Sequence, residues 1–226
     1  TLSEGNFMLN EFNFALAGFL AMPSDDIELD LNFEGKDNEF KSLLSLMPGI
    51  YSESFSSLET SGTMDFNGFV KGTYNDIKFP AFDVSLKVAD GMFQYPELPR
   101  PVKNINLDLQ VKNETDNLDN TSIAVPAFNL DFGSNPISGK LYISDLVSYT
   151  IDAAIKGKLN LEELTSIFPI EGINLKGSLD INALAKGLYD STAGVIPTID
   201  AKLTLVNGYA KNADYPAPIE NLNVNA

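Results

Sequence analysis

The chain has 226 residues and a formal net charge of −16, from 31 acidic against 15 basic residues. Because phosphate contacts need clustered Lys or Arg, this balance argues against nucleic acid and against an anionic bilayer surface as partners. The sequence contains no Cys and no His, which excludes thiol nucleophiles, Ser-His-Asp triads and the usual zinc sites. No apolar run approaches the ~20 residues that a membrane-spanning helix needs.

The first residues predict strands, because apolar and polar side chains alternate with a period of two. A strand region runs from Phe7 to Leu16 and is predicted to end at Gly18. The composition of the next residues predicts a turn. A second strand with alternating apolar and polar residues is then predicted from Ile27 to Phe33, and it is predicted to end at Gly35.

The next segment, residues 38–48, predicts a short helix. Its apolar residues recur at helical spacing, Asp37 or Asn38 can cap its start, and Pro48 ends it. Later alternations predict three further strands, at residues 62–66 (broken by Gly68 and Gly72), 82–88 and 105–111.

The stretch from Gly91 to Val111 returns at the C-terminus. Gly91 and Gly208 are 117 positions apart, and so are Asn104 and Asn221. We predict that each glycine takes a positive φ at a turn or bulge. A Pro-x-Pro piece, which cannot donate to a sheet ladder, precedes the strand in both places and is predicted to be an extended crossover or edge segment.

Two further anchors repeat in the same order. The strand at Gly62 returns at Gly177, and the short helix before Pro48 returns before Pro169. A fixed order of matches at a long period indicates an internal duplication. We therefore predict two β repeats, residues 1–112 and 113–226, with ten or more short strands and two brief helices in an antiparallel arrangement.

Candidate reactive groups are few, and none matches a catalytic motif. Paired acids occur at Asp25–Asp26, at Glu162–Glu163 and, by repeat symmetry, at Asp65 and Asp180. They fall in turns, in a helix first turn or on the solvated side of strands, so we assign no catalytic residue. The loop at residues 113–120 offers oxygen ligands and two Asn-x-Ser/Thr triplets, but its composition is that of a solvated turn, and we predict no metal or cofactor.

The order of these features resembles the AsmA-like family of periplasmic proteins (AsmA and TamB types), especially the versions from Bacteroidetes. The resemblance covers nearly the whole chain through both repeats. It is carried by the helix before Pro48 or Pro169, by the strand at Gly62 or Gly177, and by the motif Gly91…Tyr95-Pro96…Pro99-x-Pro101-Val102-x-Asn104-Ile105-Asn106.

The resemblance implies a periplasmic segment of a longer protein that is anchored in the inner membrane by a helix outside this sequence. It also implies a non-enzymatic role in outer-membrane biogenesis, with lipid acyl chains carried on the apolar trough of a curved, repeating β-groove. Acyl chains and other envelope proteins are the expected partners.

The apolar stripes allow two interpretations. In one they form an open groove, lined by Ile105, Leu107, Leu109, Ile173, Leu175, Leu179, Ile181, Leu203 and Leu205. In the other they form the sealed core of a β-sandwich that acts as a spacer or a protein-interaction domain. A hydrolase acting on glycans is a third possibility, which two inward-facing carboxylates in a polar cleft would favour.

Overall fold

Twelve strands follow one another across a single antiparallel sheet in chain order. The structure is a computed structural model that describes all residues except 1, 10–11, 24, 46–58, 95–99, 168–171 and 216. The strands are β1 (Leu2–Leu9), β2 (Phe12–Ala21), β3 (Ile27–Glu39), β4 (Glu59–Tyr74), β5 (Ala81–Gln94), β6 (Val102–Asn113), β7 (Ser122–Phe132), β8 (Asn135–Ser144), β9 (Tyr149–Asn160), β10 (Ile173–Tyr189), β11 (Thr198–Asn212) and β12 (Ile219–Asn225).

Within the described residues, two short α-helices interrupt this meander. Helix α1 (Phe40–Ser45) joins β3 to β4, and α2 (Leu161–Ile167) joins β9 to β10. A 3-10 helix (Leu118–Asn120) lies between β6 and β7. The predicted mainly β, antiparallel class with few short helices is therefore confirmed.

The sheet is open, with β1 and β12 at its two edges. The described strands form one sheet and not two sheets packed face to face, so their apolar stripes are not sealed in a sandwich. The strands form a single sheet because each strand turns back and pairs with the next strand along the chain.

Several glycines that were predicted to end strands lie inside them instead. Gly18 lies within β2, Gly35 within β3, and Gly68 and Gly72 within β4. At Gly68, a Cβ atom would stand 2.4 Å from the carbonyl oxygen of Asp83 on the next strand. This position therefore requires glycine because the backbone of the neighbouring strand approaches it closely, and not because the strand ends there.

The bulges predicted near Gly91 and Gly208 are present, but the left-handed residue in each is its neighbour. Asp90 has φ 50° and Asn207 has φ 53°, and the strand register shifts at both places. At Gly208 a Cβ would lie 2.7 Å from Cδ2 of Leu205, so the glycine relieves crowding. Asn and Asp tolerate the left-handed region better than other side chains do.

A small core lies beneath α1. Phe40 at the start of the helix packs with Met64 of β4 and Val88 of β5, and all three are buried. Helix α1 begins at Phe40 and not at the predicted residue 38. The side chain of Asn38 is used elsewhere, because it accepts a hydrogen bond from the Asn13 N–H (2.9 Å) and donates to the Asn13 carbonyl (3.0 Å).

Helix α2 is capped by the side chain of Asn160. Asn160 Oδ1 accepts hydrogen bonds from the N–H groups of Glu162 (3.0 Å) and Glu163 (3.3 Å). These bonds satisfy donors that a helix N-terminus leaves free. The prolines expected to end the two helices, Pro48 and Pro169, lie outside the described residues.

The residues from Phe7 to Leu16 lie in strands as predicted, and they form a hairpin of β1 and β2. Strand β8 was not predicted. The Pro-x-Pro piece joins β5 to β6, which are antiparallel neighbours, so no crossover exists there. Of its two prolines, Pro101 is described and Pro99 is not.

Candidate functional site

One face of the sheet carries apolar side chains on every strand, because the period of two places alternate residues on the same side. We call this the apolar face and the opposite side the polar face. One row of paired residues crosses ten strands on the apolar face and contains only apolar residues and glycine: Gly5, Leu16, Phe33, Gly68, Val84, Val111, Ile123, Ile143, Ile151 and Gly187.

The structure places all nine predicted lining residues on the apolar face, in two separate groups. One group lies on β6 and consists of Ile105, Leu107 and Leu109. The other lies on β10 and β11, where Ile181 pairs with Leu203 and Leu179 pairs with Leu205. The second group consists of Ile173, Leu175, Leu179, Ile181, Leu203 and Leu205.

The two groups differ in their surroundings. Ile105 and Leu107 pack against the core of Phe40, Met64 and Val88, so they belong to the interior beneath α1. In the second group, Leu203 is 36% exposed and stands opposite Ile181 on β10. The second group therefore keeps more solvent-accessible surface than the first.

Sequence reasoning missed several exposed residues in this region. Ile155 and Ile199 lie on the apolar face of β9 and β11 and are 39% and 64% exposed. Between them stand small residues, with Ala183 of β10 paired to both Ile155 and Ala201. The exposed side chains therefore border a shallow, apolar floor. The alternation of apolar and polar residues along β9 and β11 was enough to place these side chains on the apolar face. Their exposure could not be predicted in this way, because it depends on which elements cover each strand.

The polar face is held by ion pairs and amide hydrogen bonds between neighbouring strands. Lys140 Nζ lies 2.7 Å from Asp152 Oδ1, and Lys71 Nζ lies 2.8 Å from Asp30 Oδ2. The hydrogen bond from Lys140 holds the pKa of Asp152 below its ordinary value. Such a bond favours the charged carboxylate.

A depression of about 550 Å³ lies on the polar face across β2–β6. Phe69 and two alanines form apolar parts of its lining, and Asn and Gln side chains add polar groups. It holds two carboxylates, those of Glu34 and Asp83. Both are engaged, since Lys36 Nζ is 3.2 Å from Glu34 and Gln110 donates to both oxygens of Asp83.

The two carboxylates that the sequence paired by repeat symmetry, Asp65 and Asp180, lie far apart. Asp65 lies on β4 and Asp180 on β10, six strands away across the sheet. At ~4.8 Å per strand this is roughly 29 Å along the sheet. Asp65 instead accepts a hydrogen bond from the Asp37 N–H at 2.8 Å.

A second depression on the polar face, of about 330 Å³, gathers positive charge. Lys156, Lys158 and Lys202 line it together with Asp180. None of these three lysines forms an ion pair within the described part of the chain. They form a local basic area on a chain whose net charge is −16.

The loop considered for calcium or glycosylation is occupied by its own hydrogen bonds. Asn113 is 1% exposed, and its amide donates to the Asn117 carbonyl and to Thr121 Oγ1. Its oxygen accepts from the Thr115 N–H and hydroxyl. The buried Asn113 amide is thus part of the turn. Among the described residues, no three acidic side chains come together as potential metal ligands.

No described helix combines the length and the apolar character that crossing a bilayer requires. In comparisons with known proteins, no protein-family model, no curated protein and no solved structure matches the chain. Function is therefore inferred from the arrangement of the two faces.

Proposed function

We propose that the chain consists of two tandem copies of one six-stranded unit, residues 1–112 and 113–226, and that its apolar face carries lipid acyl chains. The duplication is supported by strand register. Phe66 pairs with Leu86 in the first half, and Ile181 pairs with Leu203 in the second, at offsets of 115 and 117 positions.

Local geometry repeats at the same offset. Asn106 donates to the carbonyl of left-handed Asn104 at 3.1 Å, and Asn223 donates to that of left-handed Asn221 at 3.0 Å. The partner bond recurs as well, from the Asp90 N–H to Asn106 and from the Asn207 N–H to Asn223. These side-chain bonds recur 117 positions apart, which supports a common origin for the two halves.

Lipid handling is supported by one observation above the others. Twelve strands present a continuous apolar face, and in the described part of the chain the helices cover it only locally, since α1 packs on the core at β4 and β5 and α2 contacts mainly β9 and β10. An exposed apolar surface above a few hundred Å² marks a binding surface for a protein, a membrane or a ligand. At ~4.8 Å between strands and ~3.3 Å per residue, twelve strands of about ten residues span roughly 55 Å by 30 Å, an area well above that threshold.

Passive burial supplies the driving force in this proposal. Each methylene of an acyl chain that leaves water for an apolar surface gains about 0.8 kcal/mol. Ten methylenes gain about 8 kcal/mol before the cost of ordering the ligand is subtracted. No reactive group is needed, and we propose a non-enzymatic role without a cofactor.

The resemblance to AsmA-like proteins extends the proposal to a cellular setting. We place the chain in the periplasm, in a protein anchored to the inner membrane that contributes to outer-membrane biogenesis, with the finer shape of a curved, repeating β-groove. Both the tandem units and the open apolar face support this assignment. The alternative is a structural spacer or protein-interaction domain, in which a protein covers the same face.

Native mass spectrometry of the chain, expressed in a bacterium and purified without detergent, separates these functions. The lipid proposal predicts a co-purifying phospholipid, and after delipidation it predicts uptake of a fluorescently labelled phosphatidylethanolamine. A chain that is lipid-free as purified and takes up none of the labelled lipid contradicts the proposal and favours the spacer.

A further inference from the structure

Two adjacent rows of side chains build the depression of about 550 Å³ on the polar face. In the first row, Phe69 of β4 stands between Asn32 of β3 and Asp83 of β5. The second row consists, in strand order from β3 to β6, of Glu34, Asn67, Ser85 and Gln110. Because neighbouring strands lie ~4.8 Å apart and residues of one face ~6.6 Å apart along a strand, these groups surround the Phe69 ring.

Phe69 is an aromatic residue in polar surroundings. It is half-buried, and no other aromatic ring of the described residues contacts it. Its neighbours on the same face of β4 are Asn67 and Lys71, and its neighbours across the strands are Asn32 and Asp83. The ring therefore offers a flat apolar surface that is bordered by hydrogen-bonding groups.

The polar groups around the ring include amides with unused hydrogen-bonding capacity. The side chains of Asn32 and Asn67 form no hydrogen bond within the described part of the chain. Asp83 is oriented by Gln110, whose amide nitrogen lies 2.9 and 3.0 Å from its two carboxylate oxygens. An asparagine amide both donates and accepts, and each carboxylate oxygen retains a lone pair for a second donor. The depression therefore presents donors and acceptors beside an apolar ring.

A sugar ring has the complementary surface, since its C–H groups form an apolar face and its hydroxyl groups both donate and accept hydrogen bonds. We propose that the depression binds an uncharged oligosaccharide, with one sugar ring stacked on Phe69 and its hydroxyl groups bonded to the amides and the carboxylate beside that ring. The volume of about 550 Å³ lies within the roughly 300–1,000 Å³ of ligand sites. The inference goes beyond lipid handling and does not depend on it, because the two ligands occupy opposite faces of the sheet.

Charge favours an uncharged ligand over an anionic one. The depression holds the carboxylates of Glu34 and Asp83, which would repel a phosphate group or a uronic acid. The flanking Lys36 and Lys112 are ion-paired, at 3.2 Å with Glu34 and at 2.7 Å with Glu114. Both carboxylates already act as acceptors, whereas cleavage of a glycosidic bond also needs a carboxyl group that donates a proton, so we propose binding without cleavage.

The second half of the chain carries the same row with different side chains. In the two-copy interpretation Leu184 is the counterpart of Phe69, which lies 115 positions earlier, and the cross-strand neighbours of Leu184 are Ala154 and Asp200. An alanine and a leucine thus replace the amide of Asn32 and the aromatic ring, in a row with the same register. Replacing these two side chains by those of the second half, as Asn32→Ala with Phe69→Leu, should therefore preserve the sheet.

Isothermal titration calorimetry of the full chain with four hexasaccharides tests the proposal. Maltohexaose, cellohexaose and N-acetylated chitohexaose are the uncharged probes, and hexagalacturonate is the anionic probe. We predict binding of at least one uncharged probe, and weaker binding or none of hexagalacturonate. The double variant Asn32→Ala, Phe69→Leu should bind the uncharged probe about tenfold or more weakly, because it loses the ring and an amide. Leu188→Ala, on the same face of β10 and outside the depression, is the matched control and should bind unchanged.

Thermal melting checks that the double variant remains folded. Asn67→Ala provides a second test on the neighbouring row, with an expected loss of about fivefold in affinity. The proposal is overturned if none of the uncharged probes binds at millimolar concentration, if hexagalacturonate binds as tightly, or if either folded variant retains the original affinity. The lipid assay separates the two proposals, because the double variant should take up labelled phosphatidylethanolamine as the unmodified chain does.

Discussion

Three exposed side chains on the apolar face allow lipid binding to be weakened without unfolding the sheet. They are Ile155, Ile199 and Leu203, which are 39%, 64% and 36% exposed. The variant replaces all three with threonine, which keeps a strong preference for strands while it adds a hydroxyl group. These side chains also bury surface in the fold, so we expect a loss of stability of up to about 3 kcal/mol, which the polar-face control below, of nearly equal exposure, shares.

The expected loss of affinity follows from the exposed fractions. Together they amount to roughly 1.4 whole side chains that a bound acyl chain would cover, and each fully buried side chain is worth ~2 kcal/mol. The product is about 3 kcal/mol, or roughly a hundredfold in the dissociation constant. Partial coverage by the ligand would reduce this figure, so tenfold is the least that the proposal allows.

The assay is titration of delipidated protein with fluorescently labelled phosphatidylethanolamine. The polar face offers a matched control at Leu184, Leu188 and Val206, which are 50%, 42% and 45% exposed. Replacing these three with threonine should leave the affinity unchanged. The reasoning is refuted if both triple variants lose affinity equally, or if the apolar-face variant binds as tightly as the unmodified chain.

Three further predictions concern stability. Met64→Ala should lower the free energy of unfolding by about 2–5 kcal/mol, because it empties the core beneath α1; chemical denaturation measures this, and a loss below 1 kcal/mol contradicts it. Asn160→Ala should cost about 1 kcal/mol in the same assay through loss of the α2 cap, and an unchanged midpoint would argue against that cap. Lys140 lowers the folded pKa of Asp152, so its contribution is present above the unfolded pKa and disappears as the pH falls through the folded pKa. Thermal melts should therefore show the unmodified chain losing its advantage over Asp152→Asn in that acidic range, and a constant difference would contradict this.

The faces of the sheet could be predicted from the sequence because they depend on a period of two. The alternation from Ile105 to Val111 fixes which side chains share a side, whatever strand lies next to them. The cap at Asn160 could also be predicted from the sequence, since its hydrogen bonds reach only two and three residues along the chain. Local chemistry decides both features.

Features that depend on residues far apart in the chain could not be predicted from the sequence. Asn38 looked like a helix cap, but its side chain bonds to Asn13, 25 positions earlier. Gly68 looked like a strand end, but the carbonyl of Asp83 on the neighbouring strand is what excludes a side chain there. The lysine depression likewise requires the register of β9, β10 and β11, which no single strand encodes.

The site is harder to predict than the fold for the same reason. The sequence placed nine side chains on one face, but Ile105 and Leu107 lie against the core beneath α1. Ile199, which was not singled out, is the more exposed residue. Coverage by helices and neighbouring strands therefore determines which part of an apolar stripe stays available for a ligand.

Photo-crosslinking along β11 tests most directly whether the apolar face holds lipid. A photoreactive phenylalanine analogue is placed singly at six consecutive positions, from Asp200 to Leu205, and each variant is irradiated with radiolabelled phosphatidylethanolamine. Ala201, Leu203 and Leu205 pair with apolar-face residues of β10, and Asp200, Lys202 and Thr204 pair with polar-face residues. We predict labelled protein at the first three positions and background at the other three. Equal labelling at all six positions, or none at any, would contradict acyl-chain binding on this face.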